Sequence, residues 1–166
     1  GRAMDVHLSM TGRKPRGYRA PIYSLTPAMV NRLIEHEFLY DSSMMADDLP
    51  YMVKTKAGGL IEIPPHWGTD DWPPFAHFGE IDYLMPIRSP SDGIRSFVEE
   101  FDASHEYGGF WMPVLHPFLP GRLARWREME KNLERILENG DVWFAPLEDI
   151  AVHAKSDDVR LRVENI

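Results

Sequence analysis

Three separated segments of this sequence contain residue types that can hold or transfer protons. His116 follows an apolar run and precedes Pro117, so its imidazole is expected at the end of a strand, where it can act as an acid or a base. Asp70 and Asp71 form an acidic pair that can hold an imidazole in its charged form. Arg19 ends another predicted strand and offers a permanently charged, planar donor to a carboxylate. The sequence therefore predicts acid–base chemistry if the fold brings these segments together.

Each of these residues also has a structural interpretation. A lone histidine after a strand is more often a structural residue, and an isolated arginine commonly pairs with a nearby carboxylate. An aspartate pair just before Pro73 can form a turn or cap a helix. Residue types alone therefore leave both interpretations open.

Four motifs in a fixed order favour the functional interpretation. They occupy residues 17–21, 40–43, 64–72 and 115–117. In this order they resemble the later motifs of the polysaccharide deacetylase family, in particular its allantoinase-like and peptidoglycan deacetylase branch, from about residue 15 to residue 155. The family's Asp-rich strand, which carries the catalytic base and a metal-binding aspartate, and its His-x-x-x-His pair have no counterpart in this sequence. The chain resembles the C-terminal part of a deacetylase without its metal site.

The resemblance implies a role for each candidate residue. His116 corresponds to the general acid that protonates the leaving amine, and Arg19 to the arginine that keeps the catalytic aspartate ionised and oriented. Either Asp70 or Asp71 corresponds to the aspartate that raises the basicity of the histidine. The predicted substrate-contacting residues are Trp72, which would line the acetyl pocket, together with Trp67, Tyr23 and Asp48. The family-like stretch from Asp41 to Ser43 is interpreted as a structural turn.

The supply of ligands argues against a metal site built by this chain alone. The sequence has no cysteine, and its seven histidines include no i,i+4 pair that would hold zinc geometry. We therefore predict no metal ligand and no cofactor in this chain, with a divalent metal such as Zn²⁺ expected only in a longer protein.

Length and composition predict a single globular domain. The 166 residues are 43% hydrophobic and 27% charged. Residues 1–14 are expected to be a lead-in, in which Gly1 to Ala3 could be a vector remnant, and residues 155–166 a flexible tail. A formal charge of -8 argues against a nucleic-acid partner. The lack of a long apolar run or a signal pattern predicts no membrane association and a cytoplasmic location.

Alternating strand and helix patterns predict an α/β fold, an incomplete (β/α) barrel with parallel strands and flanking helices. Strands are predicted near residues 16–20, 38–40, 60–63, 110–115 and 142–145, and helices near 26–37, after 91 or 92, at 123–138 and at 147–154. Five such strands cannot close a barrel in the usual way, so we expect a homo-oligomer or a missing N-terminal segment. The aromatic residues of the long loops, Trp67, Trp72, Phe75 and Phe78, could equally line a cleft or form a satellite core.

Two functional hypotheses follow. In the first, the protein is a hydrolase of carbon–nitrogen bonds other than peptide bonds, acting on an N-acetylated sugar polymer or a small cyclic amide, and this chain by itself is inactive. In the second, the chain is a non-catalytic deacetylase-like fragment with a carbohydrate-binding or assembly role. The absent base and metal ligands favour the second hypothesis, whereas the four motifs favour the first.

Overall fold

A five-stranded sheet with helices beside it organises one part of the computed structural model, which describes residues 1–156 and 161–166. The strands are β1 (Gly17–Tyr18), β2 (Tyr40–Asp41), β3 (Tyr51–Thr55), β4 (Gly58–Glu62) and β5 (Val163–Asn165). The α-helices are α1 (Arg2–Thr11), α2 (Pro27–Glu35), α3 (Trp72–Phe75), α4 (Pro90–Glu106), α5 (Leu123–Asn139) and α6 (Leu147–Ala154). Short 3₁₀ turns occur at Pro21–Tyr23, Trp67–Thr69 and Gly79–Ile81. Among the described residues, no helix is both long and apolar enough to span a bilayer.

The described chain forms two compact units. The first contains Gly1–Pro64 and Ala145–Ile166, and the second contains Pro65–Phe144. Two compact units in a chain of this size do not exclude one domain, so the single-domain prediction stays a prediction.

The sheet of the first unit is mostly parallel. Its strand order is β1-β2-β4-β3-β5, and only β3 and β4 pair in antiparallel fashion. Helix α2 begins where Thr26 accepts a hydrogen bond from the amide of Met29 at 3.3 Å, with Pro27 in its first turn. Its buried Val30 and Leu33 belong to the same core cluster as residues of β3 and β4, so the apolar face of the helix covers the sheet.

The second unit is built around two long helices. The predicted stop of α5 is confirmed, because the helix ends at Gly140, whose φ of 74° is left-handed. Helix α4 begins earlier than predicted, because Ser89, rather than Ser91 or Asp92, caps it by accepting from the amide of Asp92. The core of this unit comprises Phe75, Ala76, Ile94, Phe97, Leu119 and Met129. Helices α4 and α5 therefore pack, through this core, against residues that follow the two segments of the candidate site.

Two predicted strands are wrong. The run at 110–115 contributes only a one-residue parallel bridge between Val114 and Asp70, because Pro113 has no amide hydrogen to continue a ladder. The run at 142–145 forms no strand, and Trp143 and Phe144 are more than half exposed. A short apolar run is compatible with a buried strand and with an extended connection, so the sequence pattern alone does not separate the two.

Two helices and two strands were missed by the sequence predictions, namely α1, α3, β3 and β5. The lead-in forms α1, and β3 makes an antiparallel hairpin with the predicted β4, in which Gly58, with a φ of 137°, follows the turn. The tail, expected to be flexible, contributes β5 beside β3, while residues 157–160 lie outside the described residues. The tail does carry a strand signal, because apolar and charged residues alternate through 161–164.

Gly93 tests the packing of the second unit. A Cβ at this buried position of α4 would overlap the ring of Phe75. We expect Gly93→Ala to destabilise the protein, because overpacking typically costs about 1–3 kcal/mol and outweighs the roughly 1 kcal/mol gained in helix propensity. Urea unfolding measures the change. The same substitution should be less harmful in a Phe75→Leu background, and equal costs in both backgrounds would contradict the overlap.

Candidate active site

The backbone bridge between Asp70 and Val114 assembles the candidate site in the second unit. The amide of Val114 donates to the carbonyl of Thr69 at 2.8 Å, and the amide of Asp71 donates to the carbonyl of Val114 at 3.1 Å. These two bonds place the segment after Thr69 beside the segment after Val114. His116 and the aspartate pair, distant in sequence, thereby become neighbours.

Asp71 binds His116 at two points. Its Oδ2 accepts the backbone amide of His116 at 2.8 Å, and its Oδ1 lies 2.6 Å from the ring Nδ1. The Asp71 side chain is completely buried, whereas that of His116 is 33% exposed. One carboxylate therefore fixes both the position of the residue and the orientation of its ring, and leaves the imidazole within reach of solvent.

The electrostatics of this pair follow from burial. Removal from water raises the pKa of Asp71 above its usual value, while the hydrogen bonds from the ring and the backbone of His116 lower it. A buried carboxylate beside Nδ1 stabilises a proton on that nitrogen. Nε2 is then the ring nitrogen that can give a proton to a reacting group or take one from it.

The structure assigns different positions to the two aspartates. Asp70 is also buried, but its Oδ1 accepts the amide of Trp72 at 2.7 Å and lies 3.9 Å from Nδ1 of His116. Asp70 thus forms the local turn that sequence analysis offered as the structural alternative, while Asp71 makes the direct contact with the histidine.

Aromatic rings surround the imidazole. The ring of Trp72 lies 5.2 Å from that of His116, and Phe118 lies 6.0 Å from His116 and 6.3 Å from Trp72. Phe78 stacks on Trp72 at 5.2 Å. Of the two interpretations of the loop aromatics, Phe75 fits the core, whereas Trp72 packs partly against that core and also faces the histidine. Phe118, which is 54% exposed, was not singled out from the sequence, although it follows the histidine by two residues.

Three residues of the site are close enough together to be considered as ligands of a divalent metal. Within the described residues, Asp70, Asp71 and His116 form a group whose ligand atoms lie within 4.8 Å of one another. However, Asp71 uses both of its oxygens to bind His116, and Asp70 uses Oδ1 to bind Trp72. Their geometry fits a hydrogen-bonded acid–base pair rather than the convergent ligand set that zinc requires.

The remaining predicted site residues are Trp67 in the second unit and Arg19, Tyr23 and Asp48 in the first. Trp67 is 49% exposed in a 3₁₀ turn, and Asp48 is exposed in the loop before β3. The Arg19 guanidinium donates from Nε to the Ser42 carbonyl at 2.8 Å and from Nη2 to the Ser42 hydroxyl at 2.6 Å. It also lies 6.0 Å from the ring centre of Tyr23. The meeting of Arg19 with His116 stays a prediction.

Comparison with known proteins places this arrangement in context. No protein-family model matches the chain. The peptidoglycan deacetylase of Helicobacter pylori is 25% identical over 177 residues, a match that covers 90% of this chain and 60% of the relative. The structure of a candidate polysaccharide deacetylase from Mycobacterium smegmatis is 31% identical with a TM-score of 0.88, covering 97% of this chain and 56% of that one. An allantoinase structure is 25% identical with a TM-score of 0.78, covering 92% of this chain and 50% of that one.

The chain therefore spans between half and about three fifths of the length of these proteins. The matches confirm the predicted resemblance and the fold class, part of a β/α barrel of the polysaccharide deacetylase type. The roles of the individual site residues stay predictions.

The two aspartates can be separated by matched amide substitutions. We expect Asp71→Asn to remove the downfield Nδ1 proton resonance of His116 and to shift the ring nitrogens in ¹⁵N NMR, because the amide presents one acceptor atom in place of two. Asp70→Asn should leave the His116 resonances nearly unchanged and perturb the amide of Trp72 instead. The opposite pattern would assign the histidine to Asp70.

Proposed function

The chain is related to the polysaccharide deacetylase family over part of that family's length, and we propose on this premise that it contributes the proton-donating side of a hydrolase of carbon–nitrogen bonds other than peptide bonds. One observation carries the proposal. The buried Asp71 carboxylate holds both the backbone amide and the ring of His116, while the ring stays one-third exposed. A histidine held in this way is suited to deliver a proton at one defined point.

In the proposed reaction, water adds to the carbonyl carbon of an amide and a tetrahedral intermediate forms. The carbon–nitrogen bond then breaks, and the nitrogen leaves as an amine after it gains a proton. His116 donates that proton from Nε2, and Asp71 stabilises the imidazolium before transfer through its contact with Nδ1. The water is activated by a base that the described residues do not provide.

Arg19 supports the same chemistry in the proposal. Its guanidinium is held by two hydrogen bonds to Ser42, which fixes a permanently charged group at the end of β1. We assign it to keeping the catalytic carboxylate ionised and oriented, because a planar donor fork suits that task.

The proposed substrate is an N-acetylated sugar polymer. The aromatic faces of Trp72 and Phe118 beside His116 suit contact with the apolar faces of an uncharged ring, and Trp67 offers a further exposed surface. Tyr23 and Asp48 are proposed as additional substrate contacts. The name of the Helicobacter pylori relative favours a peptidoglycan substrate, whereas the allantoinase neighbour favours a small cyclic amide as the second candidate.

A non-catalytic carbohydrate-binding or assembly role is the alternative. The lack of the Asp-rich and His-x-x-x-His motifs in this sequence favours it. A cytoplasmic location, the absence of a nucleic-acid partner and a divalent metal in a longer protein belong to the proposal as predictions. None of them changes the role assigned to His116.

Activity measurements distinguish the two functions. We expect the 166-residue chain alone to show little release of acetate from chitooligosaccharides or peptidoglycan, and added Zn²⁺ should not restore it, because this sequence lacks the motifs that activate water. Coexpression with the part of the Mycobacterium smegmatis relative that this chain does not span should supply those groups and yield turnover.

In that reconstituted enzyme, His116→Ala should reduce kcat/KM by about 10²-fold or more, and His105→Ala is the control. Turnover by the chain alone that is insensitive to His116→Ala would contradict the assignment of the general acid. Binding of chitooligosaccharides without turnover in any combination would instead support the non-catalytic function.

We also propose self-association of the chain alone. The edge strands β1 and β5 leave backbone groups available for pairing. Sedimentation velocity at micromolar concentration should show a dimer or a larger species, and a monomer would refute this part of the proposal.

A further inference from the structure

Two fully buried carboxyl groups, to which the proposed reaction assigns no role, face each other in the first unit. Asp41 of β2 and Glu62 of β4 are register partners, and neither side chain is exposed. Tyr51 of β3 lies opposite Glu62, and Tyr18 of β1 lies opposite Asp41. The four residues form a polar row across one face of the sheet. Sequence analysis interpreted Asp41 as part of a turn and did not single out Glu62.

The hydrogen bonds of this row leave three oxygens for the two acids themselves. Oε1 of Glu62 accepts the backbone amides of Ser43 at 2.7 Å and Met44 at 2.9 Å. Among the described residues, Oε2 of Glu62 and both oxygens of Asp41 have no hydrogen-bond partner of good geometry, although the Ser43 hydroxyl and the amides of Ser42 and Ser43 lie near enough to stabilise the charged form of Asp41. A proton held between the two carboxyl groups satisfies these atoms, whereas two adjacent buried negative charges would repel.

Burial and charge act in the same direction. Burial, followed by the negative charge of Asp41, raises the pKa of Glu62 to about 9. Burial also raises the pKa of Asp41, while hydrogen bonding to Ser43, and after it to Glu62, acts in the opposite direction. The two acids titrate as a pair, and the pair retains one proton at a pH where an isolated Glu side chain has lost it.

The neighbouring charged groups do not neutralise the pair. On α2, Arg32 pairs with Glu35 at 2.8 Å, and both side chains are at least half exposed. Arg162, just before β5, binds Glu164 and also Asp47. The Tyr51 hydroxyl is buried, and burial together with the charge of Glu62 raises its pKa, so this group stays neutral. Arg19 is connected to the pair only indirectly, since it binds Ser42, the residue that follows Asp41.

Hydrogen bonds and the backbone of residues 42–44 together connect the acid pair to Arg19. Glu62 holds the amides of Ser43 and Met44, and the Ser43 hydroxyl accepts the amide of Ala20 at 2.9 Å. Ser42 donates its hydroxyl to the carbonyl of Ile63 at 2.7 Å and binds the Arg19 guanidinium. Glu62 thus fixes the backbone of residues 42–44, and Ser42 in that segment binds Arg19.

We propose that Asp41 and Glu62 share one proton, and that this proton keeps Ser42 and Ser43 in the arrangement that positions Arg19. Asp41 and Glu62 are positioning residues, since neither is assigned a contact with substrate. The catalytic consequence rests on the role proposed for Arg19, but the positioning itself does not.

The proposal fixes the sign of a pH dependence. Between the ordinary Glu value of 4.5 and about 9, the folded state holds a proton that the unfolded state has lost. Stability is therefore greatest at the acid end of this window and declines as the pH rises, with the ratio of folded to unfolded protein falling by up to about tenfold per pH unit. Above the upper limit the pair is ionised, and its repulsion should displace residues 42–44.

Amide substitutions test the proposal with the 166-residue chain. Glu62→Gln keeps the acceptor for Ser43 and Met44 and donates permanently to Asp41, so it should imitate the protonated acid. We expect unfolding measured from pH 6 to 9.5 to lose its decline in Glu62→Gln, and ¹³C-detected NMR of the Arg19 guanidinium to become independent of pH. Glu62→Ala should shift the Arg19 resonances at every pH. The exposed Glu35→Gln on α2 is the matched control and should behave like the unmodified chain.

Two results would overturn the proposal. A stability of the unmodified chain that does not decline with pH would show that the acids do not share a proton. A decline accompanied by Arg19 resonances that match those of Glu62→Gln throughout would show that the shared proton does not position Arg19. Neither measurement requires turnover, so a failure of the proposed enzymatic function is recognised separately, by the acetate assay.

Discussion

The requirement that a buried carboxylate be surrounded by donors organises the candidate site. Asp71 is removed from water completely, and the donors that compensate for this are the backbone amide and the ring nitrogen of one residue, His116. The bridge between Asp70 and Val114 and the packing of Phe75 and Leu119 in the core keep these donors in place. The position and orientation of the His116 ring therefore follow from the hydrogen bonds that the buried Asp71 carboxylate requires.

The first unit applies the same physical rule with a different result. Glu62 lies at the end of a strand and accepts two backbone amides, but its second oxygen faces another acid instead of a histidine. A histidine beside a buried carboxylate makes a group that can exchange a proton with a ligand, whereas an acid beside a buried carboxylate retains the proton inside the fold. In the roles proposed for them, the two carboxyl groups thus perform opposite tasks with similar backbone contacts.

Sequence patterns predicted the helices well because caps and periodicity are local. Thr26 marks a helix start and Gly140 marks a stop without reference to the rest of the chain. The predicted start of α4 is two to three residues late, because Ser91 and Asp92 offer the same local capping signal as Ser89. The strands were harder to predict, because pairing depends on distant partners. The apolar run before His116 has strand composition, but Pro113 and a single available partner reduce it to one bridge.

The site residues show the same division. The order of motifs indicated Arg19, His116 and the aspartate pair, but only three-dimensional geometry distinguishes Asp71, which contacts the ring, from Asp70, which forms a turn. Glu62 was missed because a single glutamate in an apolar strand has no local signature of its partner. Asp41 and Glu62 become a pair only through the register of β2 and β4.

The clamp on His116 has a consequence for how such a protein can diversify. Asp71 and His116 are separated by 45 positions in sequence, and the hydrogen bonds between them hold the two ends of the intervening segment together. Phe78 and Tyr83, which contact Trp72, lie inside that closed segment. Insertions or replacements in that segment can reshape the surface beside the ring without moving His116, the proposed proton donor. The proposed acid–base pair and the proposed recognition surface are therefore free to evolve at different rates.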